Sequence, residues 1–262
     1  MKASHPLGPH AKAGVAVTMA WAAGFVDAAC WLAIDRVYTS HMTGNTASFA
    51  RSVAQGNWNR ASIYGWVIVP FMLGLVYSAA MIKAARRAHF HSSFAVALAT
   101  EIVALVAFIA LGVRMRPDGG GIEYFALSLP AAAMGIQTVT VTRVNGLRVY
   151  TTYLTGSLSK CAEAVVDYGF WLRDRARGHS WKRVKLMLRV APRNKRLQHA
   201  FLTGGLWAGF FGGAVCGVLT QGRFGPYCLL APVAVLVVAV SVDLVRPVAA
   251  ADDPGAHRHE PF

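Results

Sequence analysis

Charged side chains are scarce in this sequence. Asp, Glu, Lys and Arg make up 15% of the chain, whereas an ordinary soluble domain carries about 25%. The remaining charges cluster between long apolar stretches, and the mean hydropathy is +0.42. This distribution excludes an ordinary soluble enzyme or binding domain and indicates a membrane protein.

Recognisable catalytic patterns are also missing. No nucleophile–base pair, paired carboxylate site or metal-ligand cluster occurs at a familiar spacing, and no phosphate-binding loop suggests the use of ATP. The four cysteines have no metal-type spacing and fall in or beside apolar segments, which predicts buried, unpaired thiols: Cys30, Cys161, Cys216 and Cys228. We therefore expect no cofactor, no metal and no enzymatic reaction.

Six apolar segments are each long enough, at 1.5 Å per residue, to cross a hydrocarbon core of roughly 30 Å. Within lipid the backbone must satisfy its own hydrogen bonds, and continuous apolarity favours helices over a barrel. The predicted spans are residues 14–34, 61–82, 93–113, 122–141, 200–219 and 225–245. Asp27 interrupts the first segment, which disfavours a cleaved signal peptide.

Basic residues are distributed unevenly between the two faces that six spans would create. The face that carries both termini holds 20 of the 26 Lys and Arg residues, and the opposite face holds 6. Because cytoplasmic loops carry the excess of positive charge, this distribution predicts a multi-pass protein of the cell (inner) membrane with both termini in the cytoplasm.

Most of this bias comes from a basic cytoplasmic insert, residues 173–199. On a helical projection, Trp181, Val184 and Leu188 share one face. The basic residues that fall largely elsewhere are Lys182, Arg183, Lys185 and Arg189. The pattern predicts an interfacial helix that contacts anionic lipids of the inner leaflet. A solvated basic loop is the alternative, and nucleic acid is not expected as a partner beside a bilayer.

Two similar motifs follow the first and fourth predicted spans: TSHMTGNT, residues 39–46, and YTTYLTGSL, residues 150–158. Gly24 precedes Thr43 by 19 residues, and Gly135 precedes Thr155 by 20. Each motif opens a short amphipathic stretch, and two further spans follow it. The chain therefore consists of two copies of one pattern, residues 13–113 and 122–245.

An odd number of spans per copy inverts the second copy relative to the first. The predicted fold is all-α: one transmembrane domain, residues 1–262, of six transmembrane helices plus two short broken or re-entrant helices in a 3+3 inverted repeat. The expected helix breaks are Gly24, Gly44, Gly135 and Gly156. Two alternatives stay open: the Thr-Gly pairs cap surface helices, or the short helices also span, which gives eight crossings.

Residues 24–46, GFVDAACWLAIDRVYTSHMTGNT, resemble the signature of the YoaK family of bacterial membrane proteins. That signature has a Gly-x-x-Asp-Ala segment, here residues 24–28, followed by Ser-His-Met-Thr-Gly-Asn, here residues 40–45. The second half of the family resembles residues 134–158, although members often have Asn where this chain has Thr138 after Gln137. The resemblance covers nearly the whole chain and implies about six helices, but no established reaction or substrate.

Two acidic residues lie inside predicted spans, Asp27 in the first and Glu101 in the third. A carboxylate at that depth needs a partner or a wet cavity, and a carboxyl group that exchanges protons there suits a proton carrier. The alternative is a protonated acid that hydrogen-bonds between helices. His41 titrates near neutral pH or anchors a helix start. The solute- or ion-binding candidates are Asp27, His41, Thr43, Asn45, Glu101, Gln137 and Thr155.

The leading functional prediction is a secondary transporter of a small polar or anionic solute. A more specific form of this prediction couples the transport to protons. The alternative is a non-transporting scaffold or sensor that works through the basic insert, and a membrane-embedded enzyme is less favoured. The expected partners are membrane lipids and an unknown small solute. The sequence leaves the oligomeric state open, a homo-oligomer included.

Overall fold

The protein is a bundle of long helices in the computed structural model, which describes residues 7–34, 37–88, 92–112, 122–140, 142–144, 147–149, 151–176 and 195–246. The helices are α1 (Pro9–Ala33), α2 (Met42–Ala54), α3 (Trp58–Arg87), α4 (Ser93–Gly112), α5 (Ile122–Val139), α6 (Leu154–Ala176), α7 (Lys195–Phe224) and α8 (Leu230–Val245). A 3-10 turn, Gly225–Leu229, separates α7 from α8, and two short antiparallel strands, β1 (Thr142–Val144) and β2 (Leu147–Val149), precede α6.

Each of the six predicted spans coincides with one of these helices. By length and composition, four helical stretches among the described residues suffice to cross a membrane: His10–Ala33, Trp58–Ala85, Phe94–Gly112 and Arg196–Val245. The last stretch contains two helices, because Gly225 turns the chain with a φ of 54°. The shorter apolar helix Phe125–Val139 belongs to α5. The prediction of a helical membrane protein is confirmed at this level.

Both motifs open a helix that packs against the following long helix. α2 contacts α3, and α6 contacts α7. In α2, Asn45 and Ser52 are buried against the protein. In α6, the buried positions are Gly156, Ser157 and Ala164. Both helices are amphipathic, as expected, but α6 has 23 residues and is therefore longer than the short helix that the sequence predicts.

The four glycines expected to break helices all lie inside helices, which corrects that prediction. Gly24 lies within α1 and Gly135 within α5, while Gly44 and Gly156 lie in the first turns of α2 and α6. The chain is interrupted before the Thr-Gly pair instead, because α1 ends at Ala33 and α2 begins at Met42. Gly24 and Gly135 serve close packing: a Cβ at either would overlap the main-chain oxygen of Phe210 or Phe71.

Two parallel helix pairs form the centre of the bundle. α1 packs along α7, and α5 packs along α3. The register of the first pair places Val17 beside Gly209, Trp21 beside Gly213 and Phe25 beside Gly217, so both helices advance together. In the second pair, the Trp66 indole donates to the Ser128 hydroxyl at 2.8 Å. Small residues at these contacts let the backbones approach closely, as is usual for helices in lipid.

Alanine at Gly24 or Gly135 should destabilise the protein, because the added methyl group separates backbones that touch. Overpacking of this kind costs about 1–3 kcal/mol. Gly14→Ala is the matched control, since Gly14 also lies in α1 and an added Cβ there meets nothing within 4 Å. Alanine favours a helix over glycine by up to about 1 kcal/mol, so the control should be neutral or stabilising. Thermal unfolding in micelles measures both effects, and equal melting temperatures for Gly24→Ala and Gly14→Ala would contradict the packing.

Candidate functional site

The chain turns back against α1 just before α2, and Asp27 holds the returning segment. The Asp27 side chain lies within α1 and is only 2% exposed. Its Oδ1 accepts hydrogen bonds from the backbone N–H of Thr39 at 2.8 Å, the Thr39 hydroxyl at 3.0 Å and the backbone N–H of Ser40 at 2.7 Å. One carboxylate oxygen therefore fixes the two residues that lead into the first motif helix.

The second oxygen of the same carboxylate pairs with His41, the residue that precedes α2. Nδ1 of His41 lies 2.6 Å from Oδ2 of Asp27, and the imidazole is 41% exposed. This hydrogen bond raises the pKa of His41 above its ordinary value of 6.5, while partial burial acts in the opposite direction. The ring also packs against the rings of Tyr38 and Phe210. His41 thus joins the start of α2 to α1 and α7 at once.

The contacts of Asp27 fit an anchor for the start of α2. Its Oδ1 accepts three hydrogen bonds from Thr39 and Ser40, and its Oδ2 pairs with the imidazole of His41. The geometry therefore assigns Asp27 to holding the N-terminus of α2, and gives less support to Asp27 as a mobile proton carrier.

Asn45 adds a second fixed point in the first turn of α2. Its Nδ2 donates to the backbone oxygen of Tyr38 at 2.6 Å, while its Oδ1 is buried without a hydrogen-bond partner in the described structure. Thr43 and Gly44, the pair that defines the motif, are exposed on the other side of the helix. Of the predicted site residues in this motif, Asp27, His41 and Asn45 therefore gather at the start of α2, and Thr43 does not face them.

The second motif has a neutral counterpart of the Asp27 contact. Thr138 follows Gly135 by three residues, as Asp27 follows Gly24, and its hydroxyl lies 2.7 Å from that of Thr152. The Ser157 hydroxyl donates to the backbone oxygen of Tyr153 at 3.0 Å. Thr155 is exposed, as Thr43 is. The start of α6 is thus tied to α5 by a hydroxyl pair where the start of α2 is tied to α1 by a carboxylate.

Gln137 and Glu101 lie away from the Asp27 cluster. Gln137 donates from Nε2 to the backbone oxygen of Met19 at 2.8 Å, and Met19 is eight residues, about 12 Å, from Asp27 along α1. Its Oε1 is buried without a partner among the described residues. Glu101 is completely buried in α4, and neither of its carboxyl oxygens has a hydrogen-bond partner in the described part of the chain.

Sequence reasoning missed a third buried acid, Asp243 in α8. It accepts a hydrogen bond from the Ser92 hydroxyl, and both side chains are buried. This bond joins the end of α8 to the residue before α4. Asp243 lies in the apolar run AVSVDLV. An acid within an apolar segment is the signal that identified Asp27, and the same signal could have identified Asp243. Ser78, buried without a partner in the described structure, carried no such signal because serine is common in apolar helices.

Two further predictions concern cysteines and charged patches. All four cysteines are free, with Cys30 and Cys228 buried, so the unpaired thiols are confirmed. The described residues contain no group of three or more His, Cys, Asp or Glu side chains that could hold a metal ion. The basic patch of the insert lies outside the described residues: Lys182, Arg183, Lys185 and Arg189.

Long apolar helices with buried polar anchors define a helical membrane protein. The chain matches the family "Protein of unknown function (DUF1275)" over residues 15–242 and belongs to that family. It is similar to the UPF0700 transmembrane protein YoaK of Bacillus subtilis (strain 168), with 26% identity over 155 residues, 58% of this chain and 67% of the relative. No solved structure matches it. The YoaK resemblance seen in residues 24–46 is confirmed.

The Asp27–His41 pair should make stability depend on pH. Because the folded protein raises the pKa of His41, the pair contributes fully below the unfolded value of about 6.5 and is lost as pH rises through the folded pKa. We expect the melting temperature of the unmodified protein to fall more between about pH 6 and pH 9 than that of His41→Gln.

The matched control for this slope is His10→Gln, which changes an exposed histidine in the first turn of α1. This variant should keep the pH dependence of the unmodified protein. Asp27→Asn should lose it as His41→Gln does, because an amide nitrogen cannot accept the imidazole hydrogen bond. A slope retained in both His41→Gln and Asp27→Asn would contradict the ion pair.

Proposed function

We propose that this chain is a secondary transporter of a small polar or anionic solute, built as a 3+3 inverted repeat of six transmembrane helices with α2 and α6 re-entrant. The proposal places the protein in the cell (inner) membrane with both termini cytoplasmic. One observation supports the proposal. In both parallel helix pairs at the centre of the bundle, each helix places a glycine against a backbone oxygen of its partner helix, with the same residue spacing.

The first set of contacts occurs where α1 crosses α7. Gly24 of α1 faces the main-chain oxygen of Phe210. Three residues before Gly24, the main-chain oxygen of Trp21 faces Gly213, which follows Phe210 by three residues. Each helix thus presents one glycine to a backbone oxygen of the other.

The second set occurs where α5 crosses α3, with the same spacing. Gly135 of α5 faces the main-chain oxygen of Phe71. Three residues before Gly135, the main-chain oxygen of Ala132 faces Gly74, which follows Phe71 by three residues. Since α1 and α3 belong to the first predicted copy and α5 and α7 to the second, each crossing joins the two copies. This reciprocity supports an inverted repeat whose copies exchange partner helices.

An intertwined repeat of this kind suits alternating access. In secondary transporters with inverted repeats, the solute site lies between the copies, and half-helix N-termini point toward it. Here α2 and α6 begin at fixed polar anchors, and a helix N-terminus carries a partial positive charge that favours an anionic or strongly polar group. Gln137 bridges the two central helices α5 and α1 and keeps its Oε1 free for a ligand. We infer that the solute passes beside Gln137.

The alternative function is a non-transporting scaffold or sensor, and the basic insert is the feature that favours it. Half of the 26 Lys and Arg residues lie between residues 142 and 199. On either reading we propose that this segment contacts anionic lipids of the cytoplasmic leaflet, where each basic residue contributes about 1 kcal/mol. A transporter depends on the bundle, whereas a scaffold depends on the insert. An enzyme receives the least support, since no catalytic constellation marks the sequence.

The proposed orientation is tested with single cysteines in a background that lacks the four native ones. Asn57→Cys lies between α2 and α3 and should react with a membrane-impermeant thiol reagent in intact cells. Gly178→Cys, in the basic insert, should react only after the cells are permeabilised. Labelling of Gly178→Cys but not of Asn57→Cys in intact cells would reverse the assignment of the two faces.

Transport itself is tested by a solute screen on the purified protein. A solute that binds the folded state increases the free energy of unfolding by mass action, by about 2.7 kcal/mol at 100 times its dissociation constant, and therefore raises the melting temperature. Each stabilising solute is then offered to proteoliposomes, where uptake should exceed that of protein-free vesicles. A solute that stabilises the protein but never crosses the bilayer would indicate a sensor and contradict the transporter.

Gln137→Leu supplies the matched variant for this screen. It should fold but lose both the solute-induced stabilisation and the uptake, since it removes the bridging amide. Gln55→Leu changes an exposed glutamine just after α2 and should retain both. Equal behaviour of the two variants would remove Gln137 from the solute path.

A further inference from the structure

α6 has an exposed apolar face, although it is not one of the four stretches of the described chain that suffice to cross a membrane. The helix packs on α7. Away from this contact, four large apolar side chains are 47–58% exposed: Leu158, Val165, Val166 and Phe170. An exposed apolar patch of this kind marks a surface that binds a membrane or another protein.

The contacts with α7 show how far α6 extends along the bundle. The Arg196 guanidinium donates to the backbone oxygen of Asp167 at 3.2 Å, and the Cys161 thiol donates to the backbone oxygen of Ala200 at 3.6 Å. The two helices therefore run antiparallel. The stretch of α7 and α8 that suffices to cross a membrane begins at Arg196. The last turns of α6, after Asp167, thus extend beyond the end of this stretch.

The exposed face of α6 changes in chemistry along the same direction. Leu158 lies nine residues, about 13 Å, before Asp167 and therefore beside the apolar part of α7. Phe170 follows Asp167 by three residues. Arg173 continues this face three residues later and is exposed. Aliphatic side chains followed by an aromatic ring and a guanidinium are typical of a helix that passes from the hydrocarbon layer to the headgroups.

A second stripe at this end of α6 also combines aromatic and basic groups. The rings of Tyr168 and Trp171 stack with their centroids 5.7 Å apart, and the guanidinium carbon of Arg175 lies 5.0 Å from the centroid of the Trp171 ring. With Arg173 and Arg196, three arginines lie near this end of the helix. They complement the negative charge of a phospholipid headgroup, and a guanidinium can bind a phosphate through two parallel hydrogen bonds.

The acidic residues of α6 lie on a different side. Glu163, Asp167 and Asp174 are exposed. On a helical projection they fall within about 40° of one another and about 115° from the centre of the apolar face. A phosphate that approaches Arg173 therefore avoids the carboxylates. This separation of apolar, basic and acidic groups is typical of an interfacial helix.

We propose that the exposed face of α6 is a binding site for an anionic phospholipid. The acyl chains lie along the aliphatic part of this face, between Leu158 and Val166, and Arg173 binds the phosphate, with Arg175 and Arg196 adding positive charge nearby. The site gives the lipid contact proposed above for residues 142–199 a defined place in α6. It rests on that proposal in one respect only: the leaflet is the cytoplasmic one.

Electron paramagnetic resonance tests which side of α6 faces lipid. Single cysteines replace Val165 or Asp167 in full-length protein that lacks the four native cysteines, and each carries a nitroxide label in bilayers that contain phosphatidylglycerol. The two positions differ by about 3 Å in depth but point about 160° apart. Val165→Cys should be reached mainly by oxygen, which concentrates in hydrocarbon, and Asp167→Cys mainly by a water-soluble nickel reagent.

Two results would overturn the lipid-facing assignment. The nickel reagent would reach Val165→Cys as readily as Asp167→Cys if this face were in water. Neither oxygen nor nickel would reach Val165→Cys if another part of the protein covered the face.

Native mass spectrometry of the full-length protein released from micelles tests the headgroup contact, because it counts bound lipids one by one. Arg173→Gln should weaken binding of the first phosphatidylglycerol about fivefold, the contribution expected of one basic residue near an anionic surface. Arg223→Gln is the matched control, since it removes another exposed arginine, in the last turn of α7. It should retain the affinity of the unmodified protein. Equal affinities for the two variants would remove Arg173 from the site.

The leaflet is decided separately from the lipid site. If Arg173→Gln loses the affinity and Gly178→Cys nevertheless reacts in intact cells, α6 binds lipid on the outer side of the membrane. The lipid site would then stand, and the proposed orientation would fail.

Discussion

Where α1 crosses α7 and where α5 crosses α3, glycine stands at the point of contact and the two backbones touch. Gly24 and Gly135 meet the main-chain oxygens of Phe210 and Phe71. Helices in lipid gain little from burying apolar surface, so they associate through close packing and polar contacts. These two crossings set the distance between the helices of each pair, and α2, α4 and α6 pack against the helices of these pairs.

The anchors of the two motif helices differ in chemistry although their positions correspond. Asp27 holds the start of α2 through backbone N–H groups and His41, whereas Thr138 meets Thr152 near the start of α6. A carboxylate anchor with an imidazole partner responds to pH, and a hydroxyl pair does not. In the proposed transporter, opening toward one side of the membrane would therefore depend on pH more than opening toward the other. Two copies with identical anchors would not show this difference.

Buried polar groups in this bundle fall into two kinds. The carboxylates of Asp27 and Asp243 are hydrogen-bonded and fix helix ends, whereas Ser40 Oγ and Asn45 Oδ1 beside Asp27 are buried without a partner in the described structure. Glu101, Ser78 and the Oε1 of Gln137 have no partners in the described structure and lie within single helices. Satisfied networks make a structure rigid, whereas unsatisfied ones are places where a ligand, a proton or a movement completes the bonding.

The sequence by itself determined the helical membrane class, the approximate positions of α1, α3, α4, α5, α7 and α8, the family and the presence of Asp27 within α1. Periodicity and apolar length report local structure and burial, and these need no partner to be specified. Only the tertiary structure decided what Gly24 and Gly135 do, that His41 faces Asp27 while Thr43 turns away, and that Gln137 of α5 bonds to the backbone oxygen of Met19 in α1. Such facts depend on which helices pack together and in which register. Contacts between residues distant in the chain leave no periodic trace in one sequence, because many registers satisfy the same apolar pattern.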